Sequence, residues 1–148
     1  MQRCLKSVAL RKSFRTFLQE KQCVENLDFY EAVQSYKTIT NKEEQQARAN
    51  EIWNTFVSPT AEREVNIDSG VKKRIQEELM SPKSDLFDAA QDWVYQLMAT
   101  GAYLNYSLTP MAKMVVAPER TSRTFRSLSR SLALVTDDRG LGLDDDCS

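Results

Sequence analysis

The chain has 148 residues, 41% hydrophobic and 28% charged, with a formal net charge of −1. That is enough apolar content for one packed domain with a tail, and too little positive charge for a protein held to nucleic acid by its phosphates. Histidine is absent, which excludes Ser-His-Asp and Cys-His mechanisms, a histidine general base and most zinc sites.

Taken in chain order, the sequence reads as helices separated by short polar breaks. Lys6, Arg11 and Lys12 interrupt any apolar run of signal-peptide length at the start. Leu10, Phe14, Phe17 and Leu18 then recur at helical spacing, as do Val24, Leu27, Phe29, Tyr30, Val33 and Tyr36. Thr40 with Glu43, overlapped by Asn41 with Glu44, carries a capping-box pattern. It opens a third helix whose apolar stripe is Ala49, Ile52, Trp53, Phe56 and Val57, stopped by Pro59. Asp68 or Ser69 is the expected N-cap of a helix bearing Val71, Ile75 and Leu79. After Pro82, Ser84 or Asp85 is expected to cap a helix with Phe87, Ala90, Val94, Leu97 and Met98 facing inward, and Gly101 to end or bend it. No charged residue occurs from Trp93 to Ala112, but Gln96, Thr100, Asn105 and Pro110 make that stretch too polar for a membrane span. An all-α bundle over residues 1–110 is the expectation.

Residues 111–148 differ in kind and are expected to form a mobile tail. From Lys113 to Arg130 five basic residues stand against Glu119, and from Asp137 to Asp146 five aspartates stand against Arg139. Arg126 lies three residues before Ser129, a spacing that suits a basophilic kinase and makes Ser129 a phosphorylation candidate. The simpler alternative is a solvated tail whose basic and acidic blocks attract one another.

Catalytic constellations are poor. Glu43-Glu44, Glu77-Glu78 and Asp144-Asp145-Asp146 read as solvated surface, and four glycines assemble neither a phosphate loop nor a dinucleotide fingerprint. Cys4, Cys23 and Cys147 form no CxxC pair and point to a reducing compartment; no metal and no cofactor is expected. Cys4, near Arg3 and Lys6, is a palmitoylation candidate, with a free thiol the simpler expectation. Two asparagines in polar breaks, Asn26 and Asn66, could position groups on a partner, or could serve as a cap and an Asx turn.

Four motifs in order resemble the regulator of G-protein signalling family over roughly Leu10 to Tyr106. They are Phe14-x-x-Phe17-Leu18; Glu25-Asn26-Leu27-Asp28-Phe29-Tyr30 with Tyr36-Lys37-x-Ile39; Glu64-Val65-Asn66-Ile67-Asp68; and Phe87-Asp88-x-Ala90-Gln91 with Leu97-Met98. The resemblance implies a domain of about nine helices that binds the switch regions of a heterotrimeric G-protein α subunit (Gα) and accelerates GTP hydrolysis without donating a catalytic group. It implies that Asn66 reaches the switch glutamine and threonine region, and that Glu25 and Asn26 touch switch II or its neighbours. Leu97 is a contact or support residue on the same reading, and Cys23, Asp68, Ser69, Gly101 and Asn105 complete the expected surface. A monomeric cytoplasmic domain, recruited peripherally to the plasma membrane, is implied with it. Only Met1 to about Val8 is left for the family's terminal helices, so a segment of a longer protein is one reading of the chain.

Three positions depart from the family pattern. Cys23 stands where a small hydroxyl residue is usual, and Gly101 and Asn105 stand where an acidic and a basic residue are usual. Hydrogen bonds to charged groups contribute about 1.5–3 kcal/mol each, so their loss motivates a second reading: a scaffold of the same fold with weak or no GTPase acceleration.

Overall fold

The computed structural model describes residues 1–116, and every regular element among them is helical. Helices α1 (Gln2–Lys6), α2 (Val8–Glu20), α3 (Glu25–Tyr36) and α4 (Lys42–Ile52) come first, and α4 widens into a π turn over Trp53–Val57. A loop leads to α5 (Ser69–Glu78) and α6 (Asp88–Leu97). A second π turn, Met98–Ala102, runs into α7 (Tyr103–Leu108), and α8 (Pro110–Val116) follows. The all-α expectation holds across these residues. Ser129, Cys147 and the charge blocks beyond Lys113 lie outside them.

Polar side chains start several helices, though not always the expected ones. Ser7 Oγ accepts from the Leu10 amide at 3.4 Å at the start of α2. Asn41, rather than Thr40, caps α4: its Oδ1 accepts from the amides of Glu43 and Glu44 at 2.8 and 3.1 Å. Asp68 caps α5 through Oδ2, which accepts from Gly70 and Val71 at 2.8 and 3.3 Å. Such caps contribute about 1 kcal/mol each. Neither Ser84 nor Asp85 caps α6. Residues 84–87 form turns instead, because Leu86 and Phe87 are both buried and Tyr36 Oη holds the Lys83 carbonyl at 2.6 Å. Gly101 does not end the helix either. It lies within the second π turn, and the chain stays helical through Leu108.

Two aromatic clusters organise the core. Phe29 meets Phe56 and Phe87 edge-on at 5.8 and 6.5 Å between ring centroids, and Phe87 meets Tyr36 at 5.2 Å, so α3, the first π turn and α6 share one packed layer. Phe14 meets Tyr103 and Tyr106 at 5.7 and 5.1 Å, and Phe17 meets Tyr106 at 5.6 Å, joining α2 to α7. Ala112 on α8 is buried as well, so helical packing continues a few residues beyond Pro110.

Tyr106 is buried beside Ser13, whose Oγ partly opposes the upward push of burial on the phenol, but the two hydroxyls do not close a hydrogen bond of full geometry. A buried hydroxyl without a well-formed hydrogen bond recovers little of its desolvation cost. Tyr106→Phe is therefore expected to leave the unfolding free energy within about 0.5 kcal/mol of wild type or to raise it. A loss above about 1.5 kcal/mol in denaturant titration would show that the hydroxyl is paired after all.

α1 folds its own cysteine inward. Cys4 is 1% exposed, so in this fold its thiol is closed to acylation and the palmitoylation expectation is not met. Burial pushes the thiol up from 9.0 to about 11, against the pull of the amino terminus and Arg11. The native state thus keeps a proton that the unfolded chain gives up first. This support for folding is complete below about pH 9.0 and fades as pH rises towards about 11. Across that window the thermal midpoint of wild type should fall more steeply than that of Cys4→Ala. Parallel curves would acquit the thiol.

Candidate functional site

α3 and α6 pack antiparallel, and their register decides what meets at the ends. Lys37 Nζ at the end of α3 lies 2.6 Å from Asp88 Oδ1 at the start of α6, as an ion pair without hydrogen-bond alignment. Lys37 donates instead to Gln91 Oε1 at 2.7 Å, and Gln91, the buried polar residue of the core, donates through Nε2 to the Tyr30 carbonyl at 3.1 Å. Tyr30 and Tyr95 pack at 6.1 Å. Continued in the same direction, this register brings the end of α6 and the second π turn to the start of α3. Leu97 and Gly101 therefore belong to the same end of the molecule as Glu25 and Asn26.

The loop that carries Asn66 is held by three restraints, of which the Arg63–Asp28 pair reaches the start of α3. The Val65 amide donates to the Phe56 carbonyl at 2.9 Å. Arg63 pairs with Asp28, one turn into α3 from Glu25, and its guanidinium lies 5.6 Å from the Phe56 ring centroid. Glu64 pairs with Lys72 of α5. Val65 and Ile67 are buried, so the side chain between them points out: Asn66 is exposed and makes no side-chain hydrogen bond among the described residues. The Asx-turn alternative for Asn66 is not what the geometry contains. Asp68, by contrast, spends Oδ2 on the α5 cap, and Ser69 is the exposed first residue of that helix.

The α2–α3 connection is short and closed by backbone bonds. The Cys23 amide donates to the Leu18 carbonyl at 3.0 Å and Gln22 takes a left-handed φ of 56°, so the chain reverses in a Schellman-type turn without a glycine. Cys23, Glu25 and Asn26 are half-buried there, and Val24, not a polar side chain, occupies the N-cap of α3. Asn26 is thus not a cap. Burial, then the Glu25 carboxylate, push the Cys23 thiol above its ordinary value.

Leu97 was expected inward and is 38% exposed. The buried stripe runs through Ala90, Gln91 and Val94 of α6 and on to Met98 of the π turn, leaving Leu97 on its flank beside the exposed Trp93. Gly101 is exposed, and a Cβ there would meet nothing within 4 Å. Asn105 is exposed one turn further on, between the exposed Leu104 and the buried Tyr106. This outer face is uncharged throughout. Leu97 precedes the π turn that begins at Met98, so its exposure follows from its angle at the edge of the α6 stripe and not from the π turn.

The charged residues behind this surface were not foreseen. Asp28 is shared by Arg15 and Arg63, Arg15 also holds Glu31, and Arg11 Nε reaches Glu31 at 3.2 Å. Burial disfavours the Arg15 charge, but the two carboxylates outweigh it and hold its pKa up. The Arg15–Asp28–Glu31 spacing is the only sequence trace of this network, and the partner 35 positions away in Arg63 leaves none. Among the described residues no group of three or more His, Cys, Asp or Glu could hold a metal ion. The arrangement offers exposed amide, carboxylate and apolar contacts on a rigid helical frame, the chemistry of a docking surface.

Comparison with known proteins agrees with that chemistry. The family model described as regulator of G protein signaling domain matches residues 1–111. Regulator of G-protein signaling 1 of Xenopus laevis is 32% identical over 90 residues, 61% of this chain and 45% of the relative, and its Xenopus tropicalis counterpart matches to the same extent. Human regulator of G-protein signaling 21 is 30% identical over 104 residues, 70% of this chain and 68% of the relative. The chain thus spans about half the length of the two frog relatives. With the family model matched from residue 1 to 111 of 148, the chain belongs to the regulator of G protein signaling domain family.

Proposed function

We propose that this protein is a GTPase-activating protein for heterotrimeric Gα subunits and so terminates their signalling. Gα supplies its own arginine and the glutamine that orients the attacking water. A partner that holds the switch loops in their transition-state arrangement lowers the barrier by differential binding alone, with no catalytic group of its own. Glu25, Asn26, Asn66 and Leu97 supply the contacts in this reading, with Cys23, Ser69, Gly101 and Asn105 around them. The observation that carries it is Asn66: exposed between buried Val65 and Ile67, without an internal hydrogen bond, in the loop tied to the start of α3. The domain acts as a monomer in the cytoplasm, reaching the plasma membrane through its partner. No helix among the described residues is long and apolar enough to cross a membrane.

Single-turnover GTP hydrolysis by members of each Gα class tests this directly. Acceleration by the wild-type chain of at least one class is expected, and unchanged rates with all of them would sink it. The second reading, a scaffold of the same fold without acceleration, is favoured by the uncharged face around Gly101. An accelerator binds Gα with GDP and aluminium fluoride more tightly than Gα with GDP alone, because that complex mimics the transition state. A scaffold need not show that preference.

A further inference from the structure

The ion-pair chain behind the surface ends at the Asn66 loop. Arg11 Nη1 donates to the Leu5 carbonyl of α1 at 3.2 Å and Arg11 Nε meets Glu31; Glu31 and Asp28 share Arg15; Asp28 receives Arg63 from the loop. Asp28 is the hinge of this chain. Its side chain is only 18% exposed and accepts from both guanidiniums, one through each oxygen. Arg63 stands three residues before Asn66 and lies against the Phe56 ring, whose own carbonyl holds the Val65 amide. A carboxylate fixed by Arg15 on one side is therefore a rigid anchor for the loop on the other. Asn66 has no hydrogen bond among the described residues that would hold its side chain, so its aim depends on the backbone that these restraints fix.

We propose that Asp28 and Arg63 are positioning residues for Asn66, acting through their mutual pair and without touching the partner. This rests on the GTPase-activating reading, and the tests separate the two. The first test needs no Gα. In Arg63→Ala, hydrogen exchange at the Val65 amide, the one that donates to the Phe56 carbonyl, should speed about tenfold, while Val94 on α6 and Met98 in the second π turn exchange as in wild type. Unchanged exchange at Val65 overturns the proposal whatever the protein does to GTP.

The second test is the saturation curve of single-turnover GTP hydrolysis. Loss of aim should lower the saturating rate about tenfold, since small misplacements of a positioning group act on the transition state. Loss of a direct partner contact would instead raise the concentration needed for half-maximal effect. Arg63→Lys should recover part of the rate by restoring a cation to Asp28. In an Asp28→Asn background, Arg63→Ala should add nothing further, because the pair is already broken. Additive losses, or a purely half-saturation effect, would assign Arg63 a contact of its own and overturn the proposal. If wild type accelerates no Gα while Arg63→Ala loosens the loop, the tether stands and the GTPase reading falls.

Discussion

Asn66→Ala is expected to lower the saturating rate of Gα-catalysed GTP hydrolysis at least about tenfold, a loss near 1.4 kcal/mol of transition-state stabilisation. The same substitution should change the unfolding free energy by no more than about 0.5 kcal/mol. Both numbers follow from one geometry. The side chain is exposed and without a hydrogen bond among the described residues, so folding loses nothing when it is cut back. Its neighbours Val65 and Ile67 are buried and keep the loop in place. Paired measurements on one preparation separate the alternatives: equal losses in activity and stability would mean a structural asparagine, and loss in neither would remove Asn66 from the site.

Phe29→Ala is expected to produce the opposite pattern, a large loss of stability. Its ring is fully buried and stands between Phe56 of the first π turn and Phe87 at the start of α6. Truncating a buried phenylalanine costs about 3–5 kcal/mol through lost transfer energy and the cavity left behind. Against a total of about 5–15 kcal/mol for a domain, the variant should unfold at a markedly lower denaturant concentration. Phe29→Leu should recover more than half of that loss. If Phe29→Ala cost less than about 1.5 kcal/mol, the three rings would not be packed as described.

Much of the helical architecture was legible because amphipathic periodicity is local. Phe14, Phe17 and Leu18, or Leu27, Phe29, Val33 and Tyr36, mark the buried side of their helices without knowledge of any neighbour. Two caps were legible, Asp68 of the Asp68/Ser69 pair and Asn41 of the overlapping Thr40 and Asn41 boxes, while the expected Ser84 or Asp85 cap of α6 does not form. Errors gathered at the edge of an apolar stripe and where a glycine is tolerated by its surroundings. Gly101 read as an end or a bend of the helix; the helix does not end there, because a glycine in a helix is a modest cost that packing of Tyr103 and Tyr106 against Phe14 overrides, and Gly101 lies instead in the π turn. Leu97 read as core for a similar reason, since an apolar residue beside the stripe has the right composition and the wrong angle.

The candidate surface divides along the same line. The four ordered motifs and the absence of histidine pointed to the family and to a protein that lends shape rather than chemistry. They named Glu25, Asn26 and Asn66, and the resemblance assigned them to one partner, but the residues themselves carried no physical reason for lying at one end of the molecule. That reason is long-range: the Lys37–Asp88 and Tyr30–Tyr95 register of α3 on α6, and the Arg63–Asp28 pair across 35 positions. Ion pairs and helix registers between distant segments leave no periodic trace, because each depends on two stretches of chain meeting only after the core has formed. Local sequence thus sets which residues can be helical, buried or free. Which of the free ones share a surface, and what holds them still, is decided by packing.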